Sequence, residues 1–285
     1  MKSAFLIMAH GNFEMLKLLI TMLDYKDNDI YIHIDKKCGD LDFAQFEHLT
    51  KESSVYFLKN RMKITWGSVS QIQLELKMFD YAFNGGVKYD YFHLLSGVDC
   101  PLKTNEEISN FLERNNHSEF IGIVGGQNVI KQRLGYYHLY TDRNIMGKLY
   151  RHLLIPLQKM FHIHNVKDVS DYRMGPNWCS VTYALVNALL KEKDNIIKRY
   201  RYSFCCDEVF LQTFVFEHKE FLNRIYCPND QYKSCMRFID FNRGNPYVFN
   251  IKDMEELYKA DRFFARKVTM EVMQKLQKHL RRNIQ

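Results

Sequence analysis

The sequence predicts one α/β domain over residues 1–285, built on a mainly parallel central sheet. Three observations predict it. SAFLIMAH, DNDIYIHID and YDYFHLLSG are short apolar runs bounded by Gly, Asp or Asn, the pattern of buried strands. Between them lie FEMLKLLITML and SVSQIQLELKMFDYAF, whose apolar residues recur at helical spacing. No internal repeat or low-complexity linker divides the chain.

Taken in order, SAFLIMAH (3–10) is too short for a helix of its own and reads as the first strand. Gly11-Asn12 turns into a helix carrying Phe13, Leu16, Leu19 and Leu23 on one face. Ile30, Ile32 and Ile34 then alternate along a second strand that ends at His33-Asp35. The intervening helix supplies the crossover that parallel pairing requires. FAQFEHL reads as a short helix, SVYFLKN as a third strand, and a long helix follows with Ile72, Leu76, Phe79 and Phe83 on one face. YDYFHLLSG is the next strand, stopping at Ser96-Gly97 before Asp99. Thr104 or Asn105 caps the helix after it, with acids in the first turn to answer the dipole. FIGIVG (120–125) reads as another strand.

Residues 133–177 are less regular, mixing basic and aromatic residues around IMGKLYRHLLIPLQKMF. Pro156 should end or kink that helix, and the segment reads as an acceptor-side insertion or an irregular surface subdomain. WCSVTYALVNALL resumes with a strand and a helix. CDEVFLQTFVFEH is a helix starting near Asp207 as its N-cap, RFIDF is a short strand, and two helices close the chain.

Composition excludes more than it selects. Hydrophobic residues are 46%, charged residues 26% and the formal charge +7, which suits a phosphate-bearing ligand, a nucleic acid or an anionic membrane face. No GxGxxG follows the first strand, where AHGNFEM stands, and no P-loop is present, so dinucleotide oxidoreductase and ATPase readings fall. Zinc-finger spacing and an RNA-recognition signature are missing, which argues against nucleic acid as partner. The seven cysteines are odd in number and lack paired CxxC knuckles, so free thiols and no metal are expected. Neither a signal-peptide core nor an apolar run of about 18 residues is found, so no transmembrane anchor is expected.

Several residues have both a chemical and a structural reading. Asp35 at a strand tip can accept from ribose hydroxyls or serve only the turn. Glu208, beside Asp207, can take a proton from an attacking hydroxyl or simply favour a helix start. Arg237 in RFIDF and Lys267 in FFARKV can neutralise a departing diphosphate or cover apolar surface with their stems. Trp178 can stack on a sugar or bury, Trp66 packs or caps, and His33 and His93 read as core. Asp27-Asn28-Asp29 has metal-site spacing but precedes its strand, the place of a turn.

In this order, AFLIMAHGN, YIHIDKK, RMKITWGSVSQIQ, YDYFHLLSGVDCPLK, NWCSVTYALV, CDEVFLQT, RFIDF and FARKV resemble the core-2/I-branching β-1,6-N-acetylglucosaminyltransferase family, which includes the peptide xylosyltransferases. The chain looks like a compact bacterial member. The resemblance implies a GT-A-like nucleotide-sugar glycosyltransferase fold and inverting transfer without a metal. It implies Glu208 as catalytic base and Arg237 and Lys267 as the cations on the diphosphate. Asp35, Arg61 and Asp99 would complete the donor site, and Trp178 the acceptor site. UDP-GlcNAc is the first donor expected and UDP-xylose the second, with a glycan or lipid-linked saccharide as acceptor. A non-catalytic carbohydrate-binding protein would keep the same fold. The expected location is cytoplasmic, touching an anionic inner leaflet through Lys148, Arg151, Lys159 and the basic C-terminus.

Overall fold

In chain order the strands are β1 (Ser3–Ala9), β2 (Asn28–Ile34), β3 (Ser54–Phe57), β4 (Tyr91–Ser96), β5 (Cys100–Pro101), β6 (Ser180–Thr182), β7 (Arg237–Ile239) and β8 (Phe264–Arg266). The helices are α1 (Phe13–Leu23), α2 (Ser70–Phe83), α3 (Asn105–Arg114), α4 (Gln127–Leu134), α5 (Ile145–Met160), α6 (Tyr183–Lys191), α7 (Lys193–Tyr200), α8 (Phe210–Glu217), α9 (Lys219–Leu222), α10 (Gln231–Ser234), α11 (Met254–Lys259) and α12 (Met270–Arg282). This computed structural model describes residues 1–141 and 145–282, with Ile145, Met146, Lys148 and Arg151 described by backbone alone.

β1, β2, β3 and β4 pair in parallel in the order β3-β2-β1-β4, and β6 adds an antiparallel edge beside β4. Both faces are covered, as a parallel sheet requires. Ala4 and Leu6 point into a core shared with α2, α6 and α8, while Phe5 and Ile7 point into one shared with α1, α3 and α12. The two-residue alternation of β1 thus serves two cores at once.

Most of the expected elements form. Thr104 caps α3 in a capping box, accepting from Glu107 N while the Glu107 carboxylate accepts from Thr104 N. FIGIVG differs, because Phe120 and Val124 make only isolated bridges to Ser180 and Met174. Glycine is demanded there: a Cβ on Gly122 would lie 2.5 Å from the Gln231 carbonyl oxygen. Pro156 does not end its helix, and α5 runs through it.

A second sheet, ordered β5-β8-β7, was not legible in the sequence. β8 runs parallel to β7 and antiparallel to β5. Pairing of Cys100 with Ala265 sets Asp99 next to the end of β8.

Candidate active site

The winding places β2 on one side of β1 and β4 on the other. An open parallel sheet has its ligand crevice outside the carboxyl ends of the strands at such a switch point. Asp35 N donates to Ala9 O at 2.9 Å and Gly97 N to Met8 O at 3.1 Å, so the ends of β1, β2 and β4 form one edge.

At the β2 end, buried Asp35 caps a 3-10 turn by accepting from Lys37 N at 2.9 Å. Arg61 donates to the carbonyls of Ile34, Asp35 and Gly39 at 2.8–2.9 Å. Its guanidinium therefore clamps the loop after β2, at the crevice edge where a donor contact was expected of it. His33 is a core residue: its Nε2 accepts from Met62 N, and burial pushes its pKa down to about 4.

At the β4 end, the fully buried Asp99 carboxylate accepts from Ser96 N and Ser96 Oγ, both at 2.8 Å. Its further partner is Arg266 at 2.8 Å. Arg266 also lies over the Trp178 ring, 4.0 Å from its centroid. Asp99 is thus an organiser of Arg266, and Arg266 is a cation the sequence reasoning missed. Half-buried Lys267 follows it in the chain, and burial, then Arg266, lower its pKa while Asp99 acts the other way. These residues can hold a diphosphate through charge.

Arg237 lies behind this cluster, near enough for the charges of Asp99 and Arg266 to act on it. Fully buried, it donates to the carbonyls of Cys179 (2.7 Å), Cys235 (2.9 Å) and Leu94 (3.4 Å) and to Ser180 Oγ (3.2 Å). Its Cζ lies 4.8 Å from the Phe264 ring centroid. With its fork turned into the protein, Arg237 staples the second sheet to β4 and β6.

Glu208 sits in a 3-10 turn, Cys206–Glu208, ahead of α8. Its side chain is 38% exposed and pairs with Arg133 Nη2 of α4 at 2.6 Å. Asp207 is not a helix N-cap, since Val209 holds that position. The Asp207 carboxylate is buried instead, accepting from Gln71 Nε2 at 2.8 Å. One turn along α2, buried Glu75 accepts from Asn177 Nδ2 at 3.0 Å. Burial first, then a neighbouring carboxylate, pushes Asp207 up to about 7 and Glu75 well above its usual range.

The segment 175–178 ties the two halves of the crevice together. Gly175 N donates to Glu208 O at 2.9 Å, Asn177 reaches Glu75, and Trp178 supports Arg266. The TWGS loop has a related task. Gln71 accepts from Gly67 N, and Cys205 N donates to Gly67 O at 2.9 Å, bracing the turn that carries Glu208. Trp66 itself is 43% exposed and edges against Phe204 rather than packing in the core.

Asp29, from the DxD-like triplet, lies at the opposite end of β2, buried and accepting from Tyr89 OH at 2.7 Å. His93 is a core residue stacked on Phe5 and bonded to Ser180. Among the described residues no helix is long and apolar enough to cross a membrane.

Fold and site define an α/β protein whose parallel-sheet switch point carries Asp35, Asp99 and Arg266, with the partly exposed Glu208 carboxylate linked to it through residues 175–178. The chain belongs to the Core-2/I-Branching enzyme family, whose model matches residues 3–277. Similar proteins include xylosyltransferase 2 of Rattus norvegicus, 26% identical over 302 residues, covering 97% of this chain and 33% of that protein. Xylosyltransferase 2 of Homo sapiens is 27% identical over 305 residues, with 97% and 33% covered. The chain spans about a third of the length of these curated relatives. Mouse xyloside xylosyltransferase 1, in its apo form, aligns over 92% of this chain and 96% of its own, with 12% identity and a TM-score of 0.38, too low to argue from.

Proposed function

We propose that this chain is an inverting glycosyltransferase that moves a sugar from a UDP-sugar to a hydroxyl of a glycan or lipid-linked saccharide. The observation that carries it is Glu208, a partly exposed carboxylate held by Arg133 on a turn bonded to the segment that supports Arg266 through Trp178. Glu208 takes the proton of the acceptor hydroxyl as its oxygen attacks C1 from the face opposite UDP. The bond from C1 to the diphosphate breaks, and Lys267 with Arg266 receives the developing negative charge. In this reading Arg266 stands beside Lys267 where Arg237 was first expected, and the two cations are the basis for transfer without a metal. Asp35 faces the nucleoside end, Asp99 holds Arg266, and the part of Trp178 not covered by Arg266 is offered to the acceptor.

The donor has two candidates. Family membership supports UDP-GlcNAc and a β-1,6 bond, while the relatives named xylosyltransferases support UDP-xylose equally. A mass-spectrometric screen of both donors against isolated glycan precursors, followed by linkage analysis, separates them. Glu208→Gln should lower turnover by about 10²–10⁴-fold while UDP still binds; unchanged turnover would remove Glu208 as the base. Turnover should persist in excess EDTA, and complete loss restored by Mn²⁺ would overturn the metal-free mechanism.

A further inference from the structure

Among its described side chains, α5 turns polar groups toward the protein and an apolar stripe outward. Gln158 Oε1 accepts from Tyr137 N at 2.8 Å, and Gln158 Nε2 and Tyr150 OH donate to Tyr137 O. Leu149, Leu153, Leu157 and Met160 recur at intervals of four, four and three on the other side, each 43–61% exposed. Most large apolar side chains exposed among the described residues fall between Leu139 and Ile163. A helix washed by water carries its apolar stripe inward, so this outward stripe requires a covering.

The charge around it selects the covering. Residues 143–167 contain five Lys or Arg and three His, with no Asp or Glu. Lys159, next to Met160, and Lys167 are exposed. The side chains of Lys148 and Arg151, expected to touch a membrane, lie outside the described residues. A second copy of this face would bring two predominantly basic segments together, with acids only at their ends, Asp142 and Asp168. An anionic bilayer satisfies both the apolar stripe and the basic flanks.

We propose that α5 is an interfacial helix that docks on an anionic lipid surface, with Leu149, Leu153, Leu157, Met160 and Phe161 inserted at the headgroup boundary. Tyr137, which holds α5, is four residues from Arg133, the partner of Glu208. Docking therefore sets the bilayer over the segment that follows Arg133, on the side of the chain that holds Glu208. On the transferase reading above, this favours a lipid-linked saccharide over a free glycan as acceptor.

The test needs neither donor nor acceptor, so it is independent of that reading. Purified protein is cosedimented with phosphatidylcholine vesicles with and without phosphatidylglycerol, at low and high salt. Wild type should sediment only with the anionic vesicles, and less at high salt. Leu153→Asp combined with Leu157→Asp should lower the partition coefficient more than tenfold, with circular dichroism and thermal midpoint unchanged because both side chains are exposed. Lys159→Glu should weaken binding chiefly at low salt. No binding by wild type, or equal binding by the double variant, overturns the proposal. So does a wild-type dimer in sedimentation velocity that the double variant converts to monomer, which would assign the stripe to a second copy.

Discussion

Arg237 directs a buried fork of donors at three carbonyls and a hydroxyl, and its consequence is structural. Arg237→Ala would strand those acceptors and should cost ~3 kcal/mol or more, read from the urea midpoint. Arg237→Lys should recover little, because an ammonium cannot span the fork. A second expectation concerns the acids behind Glu208. Burial raises the folded-state pKa of Asp207 from 3.8 to about 7 and raises that of Glu75 as well. The folded chain then holds protons that the unfolded chain releases, so this contribution weakens as pH rises from about 4 to about 7. Glu75→Gln mimics the protonated acid and should therefore stabilise the fold relative to wild type more at pH 8 than at pH 5.5. An unchanged difference in urea midpoint between the two pH values would refute it. None of these roles is written in residue type. RFIDF announces a strand but not which way Arg237 turns, and Gln71, Glu75, Arg133 and Arg266 act through partners distant in sequence. Asp35 and Asp99 were findable because the ends of alternating strands mark the crevice edge.

At the scale of elements, the GPNW segment does the most with the fewest residues. A Cβ on Gly175 would lie 1.9 Å from the Gly122 carbonyl oxygen, so only glycine lets the strand-like bridge at Val124 and Met174 approach. Gly175→Ala should displace the amide bonded to Glu208 O and reduce turnover about a hundredfold with little change in UDP affinity, since misplacement of the base alone affects the chemistry. Equal turnover in steady-state assays would show the segment to be slack. The sequence marked Gly175-Pro176 as a loop without revealing this contact. Pro156, expected to end or kink its helix, does not end it: the carbonyl deprived of a partner there belongs to exposed His152, where solvent can satisfy it.

For the whole molecule, the parallel sheet was legible because each strand carries two faces of apolar residues, and its crossover helices have matching stripes. The second sheet was not, because β5, β7 and β8 have two or three residues each, too few to show a period. Yet that sheet brings Arg266 to Asp99 at the crevice edge, with Arg237 buried behind them. Ligand binding should therefore stabilise both sheets together. UDP at about 100 times its Kd should add ~2.7 kcal/mol, seen as one cooperative rise of the thermal midpoint in EDTA. Two separated transitions, with only one shifted, would contradict this coupling. The Arg237 staple also has a consequence for biosynthesis. β4 is made early, but the guanidinium that ties Leu94 to Cys179 lies 143 residues further along the chain than Leu94, after the neighbouring β6. Nascent chains arrested before residue 237 should expose an open sheet edge to proteases and chaperones, and protection should arrive late, in a single step, as β7 and β8 leave the ribosome.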